Sequence, residues 1–133
     1  MALEHINPSS LGEPRGWTNG MLAPVAARTL FVAGQTARDA AGRIVEGGLV
    51  DQWEQCLANL ITVVQAAGGR PSDIARMTVF VTDLKDYKSS LKQIGEVWKA
   101  RMGRHYPAMS VVEVKGLVDD GAVIEIEATA VIS

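Results

Sequence analysis

The sequence is short of most residues that announce a chemistry. It has one cysteine, Cys56, so no disulfide can close within the chain. Cys56 falls within an apolar helical pattern and has no histidine near it in sequence, so it reads as a small core residue in a reducing compartment rather than a catalytic thiol. There are only two histidines, His5 and His105. Each stands alone and reads as a surface residue, and no zinc spacing, phosphate loop, dinucleotide fingerprint or serine-hydrolase elbow occurs. Charge of one sign is also missing. A formal net charge of -2 and a pI near 5.6 leave no basic footprint for a phosphate backbone, which argues against a nucleic-acid partner. No apolar run approaches a membrane span, and Met1 to Pro8 lacks a basic segment followed by an apolar one. These absences point to a cytoplasmic protein with no membrane partner.

What is present is an ordinary globular composition, 47% hydrophobic and 21% charged over 133 residues, read as one domain spanning residues 1–133. Asn7 to Gly16, with Pro8, Ser9, Ser10, Gly12 and Pro14, reads as an irregular surface lead-in. Trp17 to Leu22 reads as a short strand broken by Asn19-Gly20, Thr29 to Ala33 as a clearer one, and Ile44-Val45 as a short one. From Leu49 to Ala67, Val50, Trp53, Leu57, Leu60, Val64 and Ala67 recur three or four apart and predict an amphipathic helix stopped by Gly68-Gly69. Ile74 to Thr82 alternates as a central strand. Asp83 is placed to cap a second helix with the stripe Tyr87, Leu91, Ile94, Trp98 and Met102, closed by Gly103.

Two strands end the chain. Tyr106 to Val114 forms the first. In the second, Ala122, Ile124, Ile126, Ala128, Ala130 and Ile132 form one buried face, leaving Val123, Glu125, Glu127, Thr129 and Val131 on the other. The expected fold is therefore α+β: a two-layer sandwich with a mixed β-sheet covered on one face by two helices. The uncovered face mixes Val, Thr and Glu. It is either solvated or closed against further copies of the chain, with a carboxylate left in the seam. Gly34-Gln35, after a strand, either serves turn geometry or lets a ligand approach backbone N–H groups. Trp17 is equally a pocket wall or a core filler.

In combination, Val32-Ala33-Gly34-Gln35, Ala66-Ala67-Gly68-Gly69, Met77-Thr78-Val79-Phe80-Val81-Thr82-Asp83-Leu84, Tyr106-Pro107-Ala108, Val112-Glu113-Val114, Leu117 and Ile124-Glu125-Ile126-Glu127-Ala128 resemble the Rid (YjgF-like) family, also called endoribonuclease L-PSP. The resemblance runs from Trp17 onward. It implies a fold like that of the chorismate mutase of the bacilli, a homotrimeric barrel, and a small-molecule ligand bound at the subunit interface. Active members hydrolyse reactive enamines and imines such as 2-aminoacrylate to a keto acid and ammonia, with neither metal nor organic cofactor. The resemblance implies that Glu125 positions or activates the attacking water and that the Val111 carbonyl assists. Trp17, Gly34, Met109 and Ser110 would border the ligand, with Trp98 as a further pocket wall.

One departure matters. The family's arginine after Pro-Ala, which grips the substrate carboxylate, is Met109 here, as in a branch of the family carrying Pro-Ala-Met. A thioether supplies neither the charge nor the paired hydrogen bonds of a guanidinium. Trp17 in place of the usual tyrosine also removes a hydroxyl and widens the apolar wall. Two functions follow from different classes: a deaminase of a non-standard imine or enamine, and a non-catalytic trimer that binds a metabolite or a protein. Ribonuclease follows only from the older family label, and the acidic balance argues against it.

Overall fold

A computed structural model describes residues 3–133. The main sheet has four strands: β3 (Arg28–Gln35), β4 (Ile74–Val81), β5 (Ala108–Glu113) and β6 (Ile124–Ile132), in the spatial order β3-β6-β4-β5. β6 pairs antiparallel with both β3 and β4, whereas β4 and β5 run parallel, so the sheet is mixed. Helices α1 (Leu49–Ala66), α2 (Leu84–Ser89) and α3 (Leu91–Met102) cover one face. This is the expected two-layer α+β arrangement.

Alternation decides which side of each strand meets the helices. Met77, Val79 and Val81 on β4 and Ile124, Ile126 and Ala130 on β6 are completely buried. Against them α1 lays Trp53, Leu57, Leu60 and Val64, each stabilising the layer by about 1.5–3 kcal/mol relative to exposure. Gly68, with φ +85°, ends α1, and the Gly68 and Gly69 N–H groups return to the Gln65 and Val64 carbonyls. The other sheet face carries no helix. Phe31 and Val112 stand exposed on it among Thr78, Glu127 and Thr129.

The structure corrects three expectations. The second helix is two: Asp83 Oδ1 caps α2 through the Asp86 N–H, but Ser89 and Ser90 break the run. Their hydroxyls turn back on the Asp86 carbonyl and carboxylate, competing with the helical ladder. The lead-in is not wholly irregular, because β1 (Glu4–Ile6) pairs antiparallel with β2 (Gly20–Leu22). The strand expected at Ile44-Val45 reduces to a single bridge between Arg38 and Ile44.

Candidate functional site

A cleft of about 510 Å³ opens between α3 and the start of β5. Its wall is aromatic. The rings of Trp53 and Trp98 stack with centroids 6.0 Å apart and planes 22° apart, and Trp98 stacks on Tyr106 at 6.1 Å and 5°. Trp17, Tyr87, Met109 and Val111 also line the cleft, with Arg15 and Gly95. The indole donors are already committed elsewhere: Trp53 Nε1 donates to the Ile94 carbonyl, Trp98 Nε1 to the His105 carbonyl and Trp17 Nε1 to Asn19 Oδ1. The indoles therefore offer the cleft ring faces and edges rather than hydrogen bonds.

Thr18 holds the mouth in place. It is buried, its N–H donates to the Pro107 carbonyl, and its hydroxyl donates to the Tyr106 carbonyl. With that proton committed, His5 Nδ1 donates to the Thr18 oxygen at 3.2 Å. These bonds tie Trp17 to the segment that carries Met109. His105 anchors the same segment from below, its Nε2–H donating to the Ile74 carbonyl at 2.6 Å. The surface reading of His105 is thus corrected. It is half-buried, and burial lowers its pKa despite the carbonyl contact. Its ring meets that of His5 edge-on at 6.0 Å.

A second feature lies on the other side of the sheet. Glu125 sits opposite Phe80 in the β4–β6 register, between the buried Ile124 and Ile126, so its side chain leaves on the helix-free face. Its carboxyl is held above the ordinary value, first by partial burial and then by the nearby charges of Asp119 and Glu127. The loop after β5 delivers Asp119, which accepts the buried Thr36 hydroxyl. Gln52 of α1 pins that loop by donating to the Gly121 carbonyl and accepting the Val123 N–H. Gly34 lies beside Glu125, where β3 slips register against β6. Cys56 is buried beneath β6, and its thiol is pushed up to about 12 by burial and then by Glu125, which suits packing and not nucleophilic attack.

The residues expected at the site therefore fall into two groups. Trp17, Trp98, Met109 and Val111 meet in the cleft, with Met109 and Val111 beside Met77 and Val79 on the helix side. Gly34 and Glu125 meet each other on the opposite side, the face to which the exposed Ser110 also turns. One chain does not bring Glu125 and Met109 together. Sequence reasoning missed Trp53, Tyr106, Tyr87, Gly95 and Arg15 as cleft residues, and Asp119 as the neighbour of Glu125. The stripe Tyr87, Leu91, Ile94, Trp98 carried a signal, since its rings share one helix face and meet Trp53. Among the described residues no helix is long and apolar enough to cross a membrane, and no three metal-ligating side chains cluster.

Residues 17–132 match the family described as endoribonuclease L-PSP. The chain is 33% identical over 105 residues to the 2-iminobutanoate/2-iminopropanoate deaminase of Capra hircus, which covers 78% of this chain and 73% of that protein. Among solved structures, a Rid family protein of unknown function from Yersinia pestis aligns with a TM-score of 0.86 at 33% identity, covering 99% of this chain and all of that one (100%). Escherichia coli TdcF with bound serine aligns with a TM-score of 0.69 at 33% identity, covering 99% and 94%.

Proposed function

The chain belongs to the endoribonuclease L-PSP (Rid) family, and from that membership we propose that it hydrolyses a reactive imine or enamine to a carbonyl compound and ammonia. Water is the only co-reactant. An enamine first moves a proton from nitrogen to carbon to become the imine. Water attacks the imine carbon as Glu125 takes one of its protons and returns it to nitrogen, giving the carbinolamine. On collapse Glu125 carries the hydroxyl proton to the same nitrogen. The C–N bond breaks, the C=O bond forms, and ammonia leaves. A carboxyl held above its ordinary value by partial burial and by Asp119 and Glu127 is a stronger proton acceptor for that exchange. This is the observation that carries the proposal.

The cleft with Trp17, Met109 and Trp98 is the substrate pocket, and assembly into a homotrimer closes the helix-free faces on one another. The Glu125 of one protomer then serves the cleft of its neighbour. Support comes from Phe31, 79% exposed on that face, and from the position of Glu125 on the side of the sheet opposite the cleft. Met109 replaces the guanidinium that would hold a small imino acid, so the substrate differs from 2-aminoacrylate. The test is ammonia release from a panel of enamines and imines. A rate that Glu125→Gln abolishes supports the proposal, and no rate on any member of the panel defeats it.

Met109 also favours a second reading, a trimer that binds a metabolite without turning it over. Ligand-dependent rises in Tm with no ammonia release select it.

A further inference from the structure

We propose that the cleft takes a substrate carrying a planar aromatic group and an acidic group, with the ring against the Trp98–Tyr106 slab and the acid held by Arg15 at the mouth. The proposal rests on reading this cleft as the substrate pocket and goes further by naming what fits it. Four observations converge on it. Trp98 and Tyr106 stack nearly parallel, with Trp53 packed behind Trp98 in the core, and the committed indole donors leave ring contact and dispersion as the means by which this side of the cleft grips. Met109 adds a soft, polarizable group at the ring's edge, which suits an aromatic neighbour and not a carboxylate. Gly95, one turn before Trp98 on α3, leaves open space in the cleft beside it, since a β-carbon there meets nothing within 4 Å. The volume of about 510 Å³ is that of a small-molecule site, larger than a three-carbon imino acid needs.

The charge is supplied by Arg15. It lines the cleft, is exposed, and pairs with no carboxylate among the described residues. It belongs to the strap that Thr18 fastens to Tyr106 and Pro107. A guanidinium two residues before Trp17 is thus placed to grip an acid at the mouth, while Met109 leaves the interior apolar.

Binding is measured apart from turnover, so that this proposal and the deaminase reading fail separately. Calorimetric titration of the full-length protein uses phenylpyruvate, pyruvate as the acid without the ring, and phenylacetone as the ring without the acid. Phenylpyruvate is expected to bind at least about tenfold more tightly than either fragment. Arg15→Gln should bring phenylpyruvate down to the level of phenylacetone and leave phenylacetone unchanged. Gly95→Leu, which fills the cleft from a helical position without touching the core, should weaken both aromatic probes and leave Tm undiminished. Pyruvate binding as tightly as phenylpyruvate, no binding by any probe, or phenylpyruvate affinity unaltered by either variant overturns the proposal. Aromatic binding that follows these variants, with no Glu125-dependent ammonia release from any imine, leaves the ligand class standing and removes the deaminase.

Discussion

Glu125 lies against the bare α-carbon of Gly34: a β-carbon built there would stand 2.5 Å from its Oε2 and 2.8 Å from its Cδ. The glycine is required for space, not for an unusual backbone, because its φ is not positive. It sits where β3 slips register against β6, and the three atoms nearest to a methyl there all belong to the flexible Glu125 side chain. Gly34→Ala should therefore swing the carboxylate aside at a stability cost below about 1 kcal/mol. Activity should fall toward that of Glu125→Gln, a loss of about a hundredfold or more if Glu125 is the base. Parallel measurement of Tm and ammonia release checks this, and full activity in Gly34→Ala would show that the position of Glu125 is not critical.

The raised pKa of Glu125 has a consequence for stability. The folded state holds that proton more tightly than the unfolded chain, so ionisation weakens the fold. The penalty is absent in acid and grows as pH rises through the folded pKa, above the ordinary carboxylate range. Glu125→Gln should then unfold at higher urea than the wild type at neutral pH, and the gain should shrink on acidification. A gain that is the same at both pH values would mean the carboxyl is unperturbed.

Replacing Met109 with arginine tests how much of the pocket has diverged. Met109 is half-buried at the start of β5, beside Met77 and the aromatic wall. A guanidinium there would give a small imino acid two charged hydrogen bonds that sulfur cannot make. Met109→Arg should release ammonia from freshly generated 2-aminoacrylate faster than the wild type does, and should bind aromatic probes less well. If the rate stays at the wild-type level, the departure extends beyond residue 109.

Phe31 and Val112 expose their side chains on the helix-free face, the exposed ring of Phe31 beside Arg76, Thr78 and Glu127. If this face closes against copies of the chain, Phe31→Glu replaces a buried ring with a carboxylate in the seam, beside Glu127 as well as Arg76. Sedimentation velocity should then show the wild type at three times the 14.2 kDa chain mass and the variant at a smaller mass, with ammonia release lost in step. A wild-type monomer at micromolar concentration would remove the shared site.

Much of this architecture was legible because period decides burial. The alternation in Met77-Val79-Val81 and Ile124-Ile126-Ala128 identified the covered face, and the stripe Trp53, Leu57, Leu60, Val64 identified the helix that covers it. The break at Ser89-Ser90 was harder, since the apolar stripe runs through it while the backbone yields to hydroxyl competition. The site was legible residue by residue but not as a whole. Alternation tells which side of a strand Glu125 and Met109 leave from, but whether they meet depends on strand order and on contacts between chains. The Thr18–Tyr106 hydrogen bond joins residues 88 apart in sequence, and Arg15 lines the cleft from the same strap, which no local period reveals.

His105 supplies a last prediction, in acid. Burial lowers its pKa below the usual value of about 6.5, so below that pH the unfolded chain takes up the proton first and stability falls. The loss begins near the unfolded pKa and is complete once pH passes the folded one. Charge repulsion from His5, whose ring lies 6.0 Å away on the contact network that holds Thr18 and the cleft mouth, acts in the same direction. Asp73 partly offsets that repulsion. His105→Gln keeps an N–H for the Ile74 carbonyl but cannot titrate. The wild-type urea midpoint should drop more between about pH 7 and pH 5 than that of the variant. Equal drops would assign the acid sensitivity to carboxylates elsewhere and leave His105 as a neutral strut at every pH.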